Sequence, residues 1–178
     1  MRKLLVLGVA AATTLLSAAA TATPVLASTH KPLTTSCTDD GSGFVSVTAK
    51  GTNFYVGTPN SITSGSAATL KPTQNSTTRW TACVASSGSV QLVQKRGTHW
   101  YALTSRATAV GQDVSAETVS NNGTTGTAFA SQLWIVVGSS TVTLQNQSTK
   151  LYLRVRNSGP MMYQTVTTGL TSETWTLS

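Results

Sequence analysis

Short runs of alternating apolar and polar residues fill most of the chain, and they recur as three similar units. Each unit opens with an alternating strand, continues with a second strand that contains a tyrosine, and closes on a strand that begins with a tryptophan. The opening strands are predicted at residues 45–47, 90–92 and 142–144, the second at 54–56, 100–102 and 151–153, and the closing strands at 80–82, 134–136 and 175–177.

The spacing within the units favours strands joined by turns of unequal length. The tyrosine-to-tryptophan intervals are 25, 33 and 23 residues (55 to 80, 101 to 134 and 152 to 175). The middle unit is the longest, and we expect its polar stretch 120–126 to form a loop that takes up the excess. Turns rich in Gly, Asn and Ser and an abundance of Val and Thr favour strands over helices.

One such unit cannot bury its own apolar face, so the three are expected to share a core. Three four-stranded units around a pseudo-threefold axis form a closed barrel with hairpins, the β-trefoil, and closure removes exposed strand edges. The predicted fold class is therefore all-β and a β-trefoil. A β-sandwich is the alternative.

The C-terminal unit, residues 144–177, resembles β-trefoil modules of the ricin-type lectin family, which end each repeat with Gln-x-Trp. Residues 132–134 (QLW) match this motif, whereas residues 78–80 (TRW) and 173–175 (ETW) keep only the tryptophan. The resemblance extends from about residue 43 to the end of the chain. It implies a β-trefoil fold and a carbohydrate-binding function.

The N-terminus resembles an export signal. Arg2 and Lys3 precede an apolar run over residues 4–20, and Ala27 follows small residues suited to a signal peptidase, with cleavage after Ala22 as the alternative. A membrane anchor is disfavoured because the run is short and rich in Ala and Thr. We expect a signal peptide at 1–27, an extended or flexible segment at 28–38, and a secreted, extracellular β-trefoil domain at 39–178.

Charge disfavours nucleic acid as a partner. The 178 residues carry 12 basic and 5 acidic side chains, and ten of the basic ones remain after residue 27, which leaves a net charge of +5. This charge is spread too thinly for a nucleic-acid-binding stripe. No further segment is apolar and long enough to span a membrane.

Cys37 and Cys83 are the two cysteines of the chain, and export would place them in an oxidising compartment. A disulfide between them would close a loop of about 46 residues and stabilise the fold by roughly 4 kcal/mol. Two free buried thiols are the alternative. Because Trp80 and Cys83 lie on opposite faces of their strand, Cys83 should face away from the core and Cys37 should pin the N-terminal segment outside the barrel.

The acidic and histidine side chains do not form a recognisable catalytic arrangement. Asp113 and Glu117 would lie about 13 Å apart along a strand, too far for a carboxylate pair. The remaining candidates are scattered: His30, His99, Asp39, Asp40 and Glu173. We therefore expect no enzymatic activity, no metal site and no cofactor.

The sugar pocket that the resemblance implies lacks its acidic residue. Ricin-type repeats place a carboxylate shortly after the second strand, and the corresponding positions here are Gly57, Leu103 and Arg154. Sugar binding would then depend on stacking aromatics, for which the candidates are Trp100, Phe129 and Tyr163. Each of these could instead pack inside its own unit, and Tyr163 could belong to the third strand of the last unit.

Basic residues recur in the hairpin that follows each opening strand: Lys50, Lys95 with Arg96, and Lys150. A threefold axis would gather them at one end of the barrel, where they would attract anionic glycans or polymers. Ordinary solubilising turn residues are the alternative.

The segment before the first cysteine offers a different function. Lys31 and Pro32 favour an extended backbone that could dock in the groove of a protein partner, as in a protease inhibitor. Two hypotheses result. The first is a secreted, non-catalytic module that binds carbohydrate on a cell surface or polymer, and the second is a protein-binding adaptor or inhibitor-like subunit of a secreted assembly.

Overall fold

The computed structural model describes residues 31–37, 44–50, 52–105, 109–155, 162–165 and 174–178. The predicted leader, His30, Asp39, Asp40 and Glu173 lie outside the described residues. Within them, fifteen strands and one short 3-10 helix (Ala130–Gln132) succeed one another: β1 Leu33–Cys37, β2 Phe44–Ala49, β3 Tyr55–Gly57, β4 Ser66–Ala67, β5 Thr69–Lys71, β6 Arg79–Ala85, β7 Val90–Arg96, β8 His99–Thr104, β9 Ser115–Val119, β10 Thr125–Ala128, β11 Trp134–Gly138, β12 Val142–Asn146, β13 Tyr152–Val155, β14 Met162–Thr165 and β15 Trp175–Leu177.

Six of these strands close into a barrel. Strands β2, β6, β7, β11, β12 and β15 each pair antiparallel with the next, and β15 pairs with β2 to complete the ring. Each unit also contributes one hairpin, formed by β3 with β5, β8 with β9 and β13 with β14. This arrangement confirms the predicted β-trefoil and excludes the β-sandwich.

The three tryptophans that begin the closing strands occupy equivalent places in the core. Trp80, Trp134 and Trp175 are fully buried. Their indole N–H groups donate to the carbonyl oxygens of Val56 at 2.9 Å, Leu103 at 2.9 Å and Leu153 at 3.3 Å respectively. Each bond therefore links a barrel strand to the hairpin of its own unit.

These hydrogen bonds correct the predicted register of the middle unit. They make Leu103, not Ala102, the counterpart of Val56, and strand pairing agrees, since Thr48 lies opposite Tyr55 and Val93 opposite Ala102. Tyr101 is therefore not equivalent to Tyr55. The physical reason is that eight residues separate the paired positions 93 and 102, whereas six separate 48 from 55 and 145 from 152. The hairpin of β7 and β8 is thus two residues longer than its counterparts.

The polar stretch of the middle unit is partly a loop, as predicted, and partly a strand. Residues 125–128 form β10, which pairs with β1, and a bridge joins Asn121 to Gly126. On its other edge β1 pairs with β6. The excess residues therefore enlarge the sheet outside the barrel and hold the N-terminal strand in place.

The predicted disulfide is confirmed. Cys37 in β1 lies directly opposite Cys83 in β6, and their sulfurs are bonded at 2.08 Å. Cys83 points away from the tryptophan core, as predicted, but it is fully buried because Val93 and Ala102 pack against it. The outer surface of the barrel carries a second, smaller apolar cluster at this point.

We predict that removing one core indole destabilises the whole barrel. Trp134→Ala should lower the free energy of unfolding by about 3–5 kcal/mol because it leaves a large cavity and an unpaired carbonyl at Leu103. Chemical denaturation monitored by circular dichroism measures the change. Val137→Ala in the same strand is the control, since Val137 is exposed, and an equal loss in both variants would contradict the prediction.

A second prediction concerns an apolar cavity of about 60 Å³ in the barrel, lined by residues that include Val45, Val90 and Leu177. Ala82 lines it at the position where the other two units carry Val136 and Leu177. Ala82→Val should therefore fill space and raise the free energy of unfolding by about 1 kcal/mol.

The matched control for this variant is Ala102→Val, which adds the same atoms to the tightly packed outer cluster. We expect it to destabilise the protein by about 1–3 kcal/mol through overpacking. Thermal unfolding of both variants measures the contrast. A lower melting temperature for Ala82→Val would show that the cavity does not accept a larger side chain.

Candidate functional site

The long hairpin of the middle unit presents an aromatic and a cation side by side. Lys95 in β7 lies directly opposite Trp100 in β8, and alternation along the strands places both on the face that carries Val93 and Ala102. The Trp100 ring packs against the cluster of Cys83, Val93 and Ala102 and remains half-buried. Lys95 Nζ lies 5.9 Å from the centroid of the ring, within the range of a cation–π interaction.

Three parts of the chain that have no counterpart in the other units lie together at this position: the longer hairpin, strand β1 and the enlarged loop 120–126. The long hairpin supplies Trp100, while Val119 and Cys37 pack against the same cluster from β9 and β1. Asn121, at the start of the enlarged loop, places its Nδ2 3.4 Å from the sulfur of Cys37. We call this surface, formed by Cys37, Lys95, Trp100, Val119 and Asn121, the outer face of the middle unit.

The opposite side of the same hairpin serves the structure. Arg96 donates to Thr58 Oγ1 at 3.2 Å and to the carbonyl of Asn60 at 2.7 Å. The Tyr101 hydroxyl donates to the carbonyl of Ile62 at 3.5 Å. Arg96 therefore anchors the loop 58–65 of the first unit, and its side chain points away from Lys95, with which the sequence analysis grouped it. Its predicted role in ligand binding stays a prediction.

Glu117, which its residue type suggested only as a catalytic candidate, is a buried carboxylate. It lies opposite Ala102 and is 8% exposed. Its Oε2 accepts a hydrogen bond from Ser64 at 2.8 Å and its Oε1 one from Ser115 at 3.1 Å. Glu117 therefore joins the loop of the first unit to β9, whereas Asp113 is exposed just before that strand.

The corrected register moves one of the three positions where an acidic residue was sought. Leu103 is fully buried in the core. The residue of the middle unit that corresponds to Gly57 and Arg154 is therefore Thr104, which follows Leu103. A Cβ atom on Gly57 would approach the carbonyl oxygen of Thr77 to 2.8 Å, so the backbone leaves no room for a side chain there. Thr104 is buried and donates to the carbonyl of Ala102 at 2.9 Å. None of the three positions is acidic.

The basic residues of the three hairpins are not all equivalent. Thr48 and Val93 are equivalent, because each pairs with the corresponding residue of the second strand. Lys50 and Lys95 each follow these residues by two positions and therefore correspond. The third unit has Gln147 at this place, and Lys150 instead corresponds to Trp100. Both Lys50 and Lys150 are exposed, so the predicted ring of cations is only partly threefold.

The other predicted binding residues lie apart from Trp100. Phe129 is 48% exposed at the start of the 3-10 helix, where its N–H donates to Gln132 Oε1 at 3.1 Å. Tyr163 lies in β14, opposite Arg154, which fits the predicted third strand of the last unit. Its side chain is outside the described residues. Lys31 and Pro32 are exposed immediately before β1.

Comparison with known proteins confirms the fold. No protein-family model matches the sequence, and no curated protein is significantly similar to it. Among solved structures, the chain is similar to a designed threefold-symmetric protein, ThreeFoil, with 19% identity and a TM-score of 0.61 over 76% of this chain and 97% of that one. The match to a lectin from Polyporus squamosus has 14% identity and a TM-score of 0.58, and it covers 76% of this chain and 48% of that one.

A third similar structure is a mosquitocidal holotoxin, with 14% identity and a TM-score of 0.62. The match covers 75% of this chain but 17% of the toxin. These likenesses show the fold of the chain, a β-trefoil, which the Polyporus squamosus lectin shares. Over the part of the chain that the structure describes, no helix has the length and apolarity to cross a membrane.

We predict that Arg96, unlike its neighbour Lys95, contributes to stability. Arg96→Gln should lower the free energy of unfolding by about 1–2 kcal/mol because it removes the donors to Thr58 and Asn60. Hydrogen exchange should then become faster in residues 58–65. Lys95→Gln is the control and should change stability by less than about 0.5 kcal/mol; equal effects of the two changes would refute this division of roles.

Proposed function

We propose that this chain is a secreted, non-catalytic module that binds carbohydrate by stacking a sugar ring on Trp100. The observation that carries the proposal is the half-buried indole on the outer face of the middle unit. The apolar face of a sugar ring packs well against an aromatic plane, and tryptophan offers the largest such plane. Lectins share the fold, which supports the same class of ligand here.

The surroundings of Trp100 favour binding because they hold the ring before a ligand arrives. Ala102 is small enough for the indole to lie across it, and the disulfide of Cys37 and Cys83 braces the strands beneath. A side chain that is already ordered loses little conformational entropy on binding. Exposed Phe129 has no comparable cluster among the described residues, so we assign it no primary role.

The absence of a carboxylate at Gly57, Thr104 and Arg154 shapes the affinity that we expect. A charged acceptor typically contributes about 1.5–3 kcal/mol per hydrogen bond to a hydroxyl group. Without it, single sugars should bind weakly. Useful affinity would then come from contacts with several residues of a polymer or from several binding modules on one polymer.

Secretion and lack of catalysis belong to the same proposal. The N-terminal pattern of residues 1–27 supports export, and the disulfide requires an oxidising compartment to form. Glu117, a carboxylate of the middle unit, is buried and accepts hydrogen bonds from two serines. A buried and engaged carboxylate is poorly placed to transfer protons to a substrate.

A protein-binding adaptor is the second candidate function. Its support is that Lys31 and Pro32 are exposed directly ahead of a strand that a disulfide fixes to the barrel. Because β1 already pairs on both edges, residues 33–37 are not available for pairing with a partner strand. A docking segment would therefore consist of residues 28–32 alone.

We predict that a bound glycan protects one tryptophan from a soluble quencher. Trp100 is the half-exposed tryptophan of the four in the chain, and the other three are fully buried. Acrylamide should therefore quench mainly Trp100, and a polysaccharide that binds should reduce this quenching. In Trp100→Leu both the quenching and the binding should fall, the latter by about tenfold.

Two controls separate the candidates. Phe129→Ala should leave polysaccharide binding unchanged, and deletion of residues 28–32 should do so as well. Calorimetry with galactose and related monosaccharides should detect weak binding at most. Tight binding of a monosaccharide that survives Trp100→Leu would refute the stacking mechanism, and loss of a captured protein partner on deletion of 28–32 would favour the adaptor.

A further inference from the structure

A positive charge without a described counter-ion lies beside the proposed stacking platform. Lys95 is exposed, and its ammonium group contacts the Trp100 ring; within the described ranges it forms no ion pair. Arg96 is held on the other side of the hairpin by Thr58 and Asn60. Among the described residues, the ammonium of Lys95 is therefore the charged group placed against the Trp100 ring.

The contact between Lys95 and Trp100 can be exchanged for one with a ligand. An exposed cation–π contact is weak, and the lysine side chain has a long, flexible stem. A sugar ring that stacks on the indole would take over the face above which Nζ lies at 5.9 Å. The displaced ammonium would then lie next to the substituents at the edge of that ring.

This combination of groups occurs in one of the three units. At the positions that correspond to Lys95 and Trp100, the first unit has Lys50 and Asn53 and the third has Gln147 and Lys150. Each of those units carries a cation at one of the two positions, but neither has an aromatic residue at the position of Trp100. A ligand that needs both a stacking surface and a positive charge would therefore select the middle unit.

We propose that Lys95 and Trp100 together form a binding site for an anionic sugar residue, one that carries a carboxylate, sulfate or phosphate group. The sugar ring stacks on Trp100 while its anionic substituent pairs with Lys95. This inference rests on the proposed function, and it adds the class of ligand and assigns recognition to the middle unit alone. A charge-assisted hydrogen bond to the anion would supply part of the affinity that the missing carboxylate does not.

Matched pairs of polymers test the inference. Binding of the secreted protein is measured by biolayer interferometry to polygalacturonate and its methyl ester, to dextran sulfate and dextran, and to a phosphomannan and its dephosphorylated form. Each pair keeps the same backbone and differs in its anionic group. We expect the protein to prefer at least one charged form by about fivefold to tenfold at low salt, and the pairs show which anion is recognised.

Three variants locate the effect. Lys95→Gln should remove most of the preference for the charged polymer by lowering the affinity for the charged form about fivefold to tenfold. Trp100→Leu should weaken binding to both forms. Lys50→Gln is the matched control, because it removes an equivalent positive charge from a unit that has Asn53 at the position of Trp100, and it should have no effect.

The outcomes separate the inference from the proposed function. Equal affinity for charged and neutral polymers, unchanged in Lys95→Gln but reduced in Trp100→Leu, would overturn the anionic ligand and leave carbohydrate binding intact. Equal losses in Lys95→Gln and Lys50→Gln, without an effect of Trp100→Leu, would overturn the site in favour of diffuse electrostatic attraction. If no polymer in the series binds or protects Trp100 from quenching, both proposals fail.

Discussion

The fold depends on one interaction made three times, the hydrogen bond from a buried indole N–H to a carbonyl of the second strand. A buried donor without an acceptor is costly, so each tryptophan can occupy the core only where its own hairpin presents a carbonyl oxygen. The acceptors Val56, Leu103 and Leu153 meet this requirement. The bond thereby fixes both the depth of the tryptophan and the position of the hairpin on the barrel.

Sequence patterns were sufficient to predict the barrel because large apolar residues define it. The tryptophans recur in all three closing strands, and the closed barrel buries all three. The register of the middle unit could not be predicted from sequence. Aligning Tyr101 with Tyr55 and Tyr152 is the natural choice, but Ala102 is the residue that corresponds to them, because this hairpin has two extra residues. The degenerate motif of the first unit has a physical explanation: Thr78 Oγ1 accepts the N–H of Asn75 at 2.8 Å, as Gln132 Oε1 accepts that of Phe129 at 3.1 Å. A threonine hydroxyl can therefore replace the glutamine of the lectin motif.

The candidate site was harder to predict than the fold. Trp100 and the basic residues were each recognised from sequence, but their relation depends on cross-strand pairing. With Ala102 opposite Val93, Lys95 faces Trp100, whereas Arg96 points to the other side. Sequence proximity suggested that Lys95 and Arg96 act together. The pairing places Lys95 beside Trp100, where we propose that it meets a ligand, and places Arg96 against the loop 58–65 of the first unit.

The departures from threefold symmetry are concentrated around the middle unit, and they lie outside the six-stranded barrel. The longer hairpin, the extra strand β10 and the N-terminal strand β1 all add to the outside of the barrel and leave the indole bonds in place. A disulfide and a small apolar cluster lie where these three additions meet, and Trp100 packs against that cluster. A ring packed in this way would lose little conformational entropy if it bound a ligand, so the binding surface that we propose on the middle unit requires no change in the threefold core.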